Sequence, residues 1–312
     1  GGGMRIFGFY IVFLFSKMLF SKSKEIRAIY LNQASVHSSI KLKNYIKNSQ
    51  DTGINAFIID LNYSSKKFTQ NIQLVKDAGI PFWIRIIVFP QGGEHEDINN
   101  IDLLEERLTR MKEAVKYGAQ GIQLDYLRYH RHVKPLPENP KNILSVLRWF
   151  KHKTRKLGVK FHVAVFGNTC HIPMLNIGQD LAILGPEVET INPMLYPSHY
   201  YPYNERWKKP YEVVASSLQA LEKQLDGKIS FNVLPYIETF NIRNRLMSPK
   251  ERIAYIKAQI QAVEDADYTQ GWIAWSANNR YAYLFDYLHL RKEASIAPPK
   301  EITIEDIKGL PG

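Results

Sequence analysis

The sequence predicts a single α/β domain, a (β/α)8 TIM barrel. Three observations predict it. Eight short, β-rich apolar runs recur between residues 26 and 290, separated by longer helical patterns. Most of the runs are continuously apolar, the pattern of parallel strands covered on both faces. The span of about 265 residues matches the size of such a barrel. A doubly wound open sheet competes, but no Gly-rich nucleotide loop follows the first run.

The first run covers residues 27–31 and the second 54–61. The third, 82–89, follows Gly79, where a left-handed helix C-cap is expected. Over 101–117, Leu104, Leu108, Met111 and Val115 recur at helical spacing, and Gly118 closes that pattern before the fourth run, 121–126. Over 142–157, Ile143, Leu147, Phe150, Thr154 and Leu157 share one face. Arg148, Lys151, Lys153, Arg155 and Lys156 take the other, and a solvated helix face accounts for that charge. Gly158 precedes the fifth run, 160–166, and the sixth and seventh are 190–195 and 229–234. Ser248 caps a helix with Pro249 at its first position, and the eighth run is 272–275.

The flanks read differently. Gly1–Gly3, ahead of Met4, read as an expression scar. Residues 4–21 read as a signal peptide or N-terminal anchor: Arg5, an apolar run over 6–15, then Ser16 and Lys17. The run is short for a bilayer span and no small-x-small cleavage site is evident, so a retained, membrane-associated anchor stands beside cleavage. A buried N-terminal helix is the other reading, but the run is apolar on all sides. The expected location is therefore exported, in the periplasm or cell envelope. Residues 291–312, with Pro298-Pro299, read as a polar C-terminal extension.

The 41 Lys+Arg outnumber the 30 Asp+Glu, for a formal charge of +11. That excess first points to nucleic acid, an anionic membrane face or an acidic polymer. The basic residues are spread over helices with no nucleic-acid module, so no nucleic-acid partner is expected. The charge reads mainly as solubility. The lone Cys170 excludes an intramolecular disulfide framework and a Cys-rich zinc site.

Catalytic groups of a barrel lie at the C-terminal ends of its strands. There the chain carries aromatics, amides, carboxylates and Arg. Aromatic faces stack on sugar rings, while amides and carboxylates take hydroxyls. With no Gly-rich phosphate cradle, a carbohydrate groove fits best.

Four strings carry a resemblance: Ile54-Asn-Ala-Phe-Ile-Ile-Asp60, Gly121-Ile-Gln-Leu-Asp-Tyr-Leu-Arg-Tyr129, Asn192-Pro-Met-Leu-Tyr-Pro-Ser-His-Tyr200 and Gly271-Trp-Ile-Ala-Trp-Ser-Ala-Asn-Asn-Arg-Tyr281. They resemble the signatures of a bacterial family of glycoside hydrolase domains whose activity is mostly unassigned. The resemblance covers nearly all of residues 26–285. It implies a (β/α)8 barrel distantly similar to α-amylase-like enzymes. In those enzymes an Asp at the end of strand 4 is the nucleophile, which corresponds to Asp125. They place a Glu acid at the end of strand 5, where this chain reads Val165-Phe166-Gly167-Asn168. An amide is expected in the family where this chain has Glu238.

Asp125 is the leading catalytic candidate, because a carboxylate there can attack an anomeric carbon or stabilise an oxocarbenium-like transition state. Capping the next helix or pairing with Arg128 is the structural alternative. The second carboxylate is Glu238, between Tyr236 and Phe240, or Asp60, which could instead pair with Arg85 on the next strand. Glu94 and Glu96 lie in a loop. Arg85 and Arg128 orient carboxylates or form buried scaffolding. His199 with Tyr196 meets a sugar hydroxyl or assists proton transfer, or braces a packed loop. Tyr126 and Trp275, with Tyr63, Tyr200 and Trp207, are stacking platforms or core. Gln123 and Asn278 recognise hydroxyls or make structural hydrogen bonds. His130-Arg131-His132 and Cys170-His171 supply no full ligand set, so neither metal nor cofactor is expected.

The expected function is an exported glycoside hydrolase acting on a polysaccharide or oligosaccharide, such as cell-wall glycan. The alternative is a non-catalytic glycan-binding barrel that has lost its acid.

Overall fold

The computed structural model of the chain describes residues 25–296. The expectations for residues 1–24 and 297–312 lie outside them. The eight runs form one closed parallel barrel: β1 (Ile26–Leu31), β2 (Ala56–Asp60), β3 (Phe82–Ile87), β4 (Gly121–Asp125), β5 (Phe161–Phe166), β6 (Thr190–Met194), β7 (Asn232–Val233 and Tyr236–Glu238) and β8 (Gly271–Trp275). Each strand pairs with the next, and β8 returns to β1 from Ile26↔Gly271 to Ile29↔Ala274.

Continuous apolarity of the strands has its cause in two separate cores. Ala28, Tyr30, Ala56, Ile58, Ala164, Tyr236 and Ile273 pack together in one cluster. Their neighbours Ile29, Leu31, Phe57, Ile59, Val163, Val165, Ile237 and Ala274 join the other, which holds the helices. Alternate residues of one strand thus face the barrel interior and the helical ring, and both faces are buried.

The seventh strand departs from its expected place at 229–234. Pro235 has no N–H to give the ladder, so the strand is interrupted there. Pro235 still accepts from Ile273 N at 2.9 Å. Beyond it the strand resumes, with Tyr236↔Ile273 and Glu238↔Trp275 in register. Glu238 is therefore part of the barrel wall and not of the loop above it.

Three helix features matter for the site. Pro249–Asp265 opens on a capping box, in which Ser248 Oγ accepts from Glu251 N and Glu251 Oε2 accepts from Ser248 N at 2.6 Å. The β5–β6 crossover carries no long helix, only the four-residue α-helix Leu181–Leu184 and two 3-10 turns, Gly167–Cys170 and Gly185–Glu187. The last helix, Ala282–Ile296, takes in the first residues of the expected 291–312 extension. Among the described residues, no helix is long and apolar enough to cross a membrane.

Candidate active site

The C-terminal strand ends open on a cleft of about 750 Å³. Asp125, the last residue of β4, lines it and is the sole carboxylate among the described residues that do so. Its Oδ2 accepts from Arg85 Nε at 3.0 Å and Nη2 at 2.8 Å. The same guanidinium donates from Nη1 to Asp60 Oδ1 at 2.8 Å. Asp60 stands across from Arg85 in the β2–β3 ladder, which sets this pairing. Tyr30 Oη donates to Asp60 Oδ2 at 2.6 Å. Arg85 also lies 5.0 Å from the Trp275 ring centre and 5.5 Å from that of Tyr30. One buried cation thus fixes two carboxylates, of which only Asp125 reaches the cleft. Its own attraction to the two carboxylates holds the Arg85 guanidinium well above its ordinary pKa, despite burial.

The chain turns sharply after Asp125. Tyr126 has φ of 53°, in the left-handed region, which costs a bulky side chain about 1–2 kcal/mol. Asp125 Oδ1 accepts from Tyr126 N at 2.7 Å and helps hold that turn. The β3 loop can close on the β4 loop because position 92 is glycine. Gly92 has φ of 94°, and a Cβ there would lie 2.6 Å from Tyr129 O.

Tyr126, Arg128, Tyr196, His199, Trp275 and Arg85 all line the cleft, as expected from sequence. Arg128 does not pair with Asp125. It donates to the Gln91 and Tyr129 carbonyls, and its guanidinium lies between the Tyr126 and Phe166 rings at 5.0 and 4.8 Å. Two amides are placed elsewhere. Gln123 is fully buried, donating to Asn192 Oδ1 and accepting from Tyr236 Oη, because residues two apart on β4 fall in successive interior layers. Asn278 is exposed and outside the cleft lining. Tyr200 lines the cleft, while Tyr63 and Trp207 do not.

Glu238 is also outside the lining and fully buried. Its Oε1 accepts from Ser198 N at 2.7 Å and Tyr255 Oη at 2.5 Å, and its Oε2 from Ser198 Oγ at 2.7 Å. Burial pushes its carboxyl up to about 7, against those three donors, which favour the charged form. His199 Nδ1 lies 3.8 Å from Glu238 Oε2 and 3.3 Å from Ser198 Oγ, and the ring faces the cleft. Burial and the charges of Arg243 and Arg131 hold His199 below its ordinary pKa. Asp60 and Glu238 therefore both stand one residue behind the cleft surface.

The end of β5 leaves no space for a side chain at its first loop residue. A Cβ on Gly167 would fall 2.1 Å from Tyr200 Oη and 2.5 Å from Met194 O. Sequence reasoning missed Arg131, Phe166 and Arg243 as cleft residues. Arg243 lies in the loop after β7, beyond the stretch a strand-end filter reaches. Arg131 was visible only as part of a His-Arg-His string.

That string also behaves differently in three dimensions. His130 and His132 converge with Glu94 of the β3 loop, their ligand atoms all within 4.8 Å of one another. His132 Nε2 lies 2.9 Å from Glu94 Oε1. Among the described residues, these three on the rim are the group that could hold a metal ion. The third ligand comes from another loop, which local spacing could not reveal.

A family model described as "Putative glycosyl hydrolase domain" matches residues 96–281, more than half of the chain. No curated protein matches the chain. Among solved structures, the fold is similar to the PgaB (BpsB) glycoside hydrolase domain from Bordetella bronchiseptica, with a TM-score of 0.59 and 11% identity over 86% of this chain and 99% of that one. It is also similar to the endo-beta-1,4-mannanase from Thermotoga petrophila (TM-score 0.60, 13% identity, 87% of this chain, 77% of that one). The Bacillus cereus spore cortex-lytic enzyme SleL is a third (TM-score 0.58, 11% identity, 85% of this chain, 74% of that one). At such identities the likeness is one of fold.

Proposed function

Since the chain belongs to this family of putative glycosyl hydrolase domains, we propose that it is a glycoside hydrolase of an envelope or extracellular polysaccharide, with Asp125 at the reacting carbon. One observation carries the role of Asp125. It is the carboxylate that reaches the cleft, and it does so at the C-terminal end of a barrel strand, where barrel chemistry is done. Asp125 attacks the anomeric carbon, or stabilises its positive charge, as the glycosidic C–O bond breaks. Arg85 orients the carboxylate and Trp275 offers a stacking face.

The departing oxygen needs a proton. Glu238 retains one up to about pH 7, and Ser198 and His199 lead from it to the cleft. We assign His199 as the group that delivers the proton and Glu238 as its source; Asp60 holds Arg85. This differs from a pair of carboxylates facing each other across the sugar. Export rests on the N-terminal segment, residues 4–21, with residues 26–290 as the catalytic barrel.

A single carboxylate in the cleft also favours a second reading, a glycan-binding barrel without turnover. Digestion of purified cell-wall and extracellular polysaccharides, read as new reducing ends, separates the two. New ends support the hydrolase; glycan binding with no new ends supports the binding barrel.

A further inference from the structure

The cleft is markedly basic for a sugar site. Asp125 and Asp60 share the single Arg85 cation, and against that cluster the lining brings three further guanidinium groups, Arg128, Arg131 and Arg243, together with His130 and His199. None of the three arginines is in an ion pair among the described residues. Arg128 is 5% exposed and donates only to main-chain carbonyls. Arg131 reaches the same Phe166 ring as Arg128, at 4.8 Å, so two like charges share one aromatic ring. Arg243 comes from the opposite side, after β7, donating to Ser198 O at 3.1 Å and lying 4.3 Å from the Tyr203 ring centre. Arg131 and Arg243 both act on His199, so their fields meet above the proton-delivering group.

Clustering cations without counter-charges costs folding energy, through mutual repulsion and lost hydration. On the outer helices Arg148 and Lys151 pair with Glu187, and Lys153 with Glu105. Aromatic faces hold the three guanidinium groups in place while their outer N–H groups stay unspent on carboxylates. Planar guanidinium forks match carboxylate, sulfate and phosphate oxygens.

We propose that the cleft binds a glycan whose sugar residues carry anionic substituents, seated against Arg128, Arg131 and Arg243. This deepens the hydrolase reading by naming its substrate class, and it rests on that reading only for turnover. A neutral polymer would leave the three cations uncompensated. Carboxylate, sulfate and phosphate share the recognising chemistry, so the test includes all three.

The test is calorimetric binding of short oligosaccharides to the full chain at 0.15 M salt. The probes are oligogalacturonate, a sulfated galactose oligomer and a mannose 6-phosphate oligomer, each beside its neutral counterpart. At least one anionic probe should bind about tenfold or more tightly than its neutral counterpart. Arg131 and Arg243 are exposed, so Arg131→Gln with Arg243→Gln should fold and lose most of that preference. Because the chain is basic overall, Lys112→Gln with Lys156→Gln on the outer helices is the control, removing the same charge and keeping the preference. Equal binding of neutral and anionic probes overturns the proposal, and so does an equal loss in both double variants. Reducing ends are scored in parallel: anionic preference without cleavage overturns the hydrolase reading alone, and cleavage of neutral glycans without preference overturns the anionic proposal alone.

Discussion

At the residue scale, the site is organised by two buried ionisable residues, Arg85 and Glu238. Arg85 holds Asp60 and Asp125 with three hydrogen bonds. Replacing Arg85 by Met leaves two buried carboxylates without their cation, a loss of about 3–5 kcal/mol. Urea unfolding should report it; a loss below about 1 kcal/mol would show that the cation is not what holds this pair. Glu238 is the second of them. Its carboxyl titrates at about 7 folded and near 4.5 unfolded. The folded state keeps the extra proton between those values. This contribution is therefore full below about pH 4.5 and is lost as pH rises through 7. Glu238→Gln should flatten stability between pH 5 and 8 relative to wild type, by up to about 3 kcal/mol. Parallel pH profiles of the two proteins would place the titration elsewhere. Asp125 was legible in sequence because it ends β4, and His199 because it follows β6 closely; Arg85 was legible as the partner of Asp60 on the next strand. The burial of Glu238 was not, because Tyr255 and Ser198 reach it from distant segments.

At the element scale, apolar runs and caps made most of the barrel legible. The Ser248 box is one such cap, and Ser248→Ala should cost about 1 kcal/mol in thermal or urea unfolding with the fold intact. An unchanged midpoint would mean that Pro249 alone starts that helix. β7 was misread because the apolar run at 229–234 is the stronger local signal, whereas barrel pairing selects residues on both sides of Pro235. The β5 end is a different case. Sequence showed that Glu is absent there, and the structure gives the steric reason, in that Tyr200 and Met194 already fill the space beside Gly167. Gly167→Ala should destabilise by about 1–3 kcal/mol, read as a lower midpoint. A neutral result would mean that the Tyr200 ring moves aside freely.

At the scale of the whole molecule, the eight runs of parallel-strand character fit a barrel or a doubly wound sheet, and the pairing of the last strand with the first closes the barrel. The +11 charge was not interpretable from composition. Part of the basic excess lies on outer helices, as at the exposed Lys112 and Lys156, and part is gathered in the cleft, where Arg128, Arg131 and Arg243 have no ion-pair partner among the described residues. Only the fold separates those two populations. If the barrel cleaves glycosidic bonds through Asp125, turnover depends on that carboxylate. Release of reducing ends from the glycan the wild-type protein digests is compared with Asp125→Asn at equal folded concentration. Asp125→Asn should release them more than about 100-fold more slowly with glycan binding retained. Release by Asp125→Asn at the wild-type rate would rule out Asp125 as the reacting carboxylate.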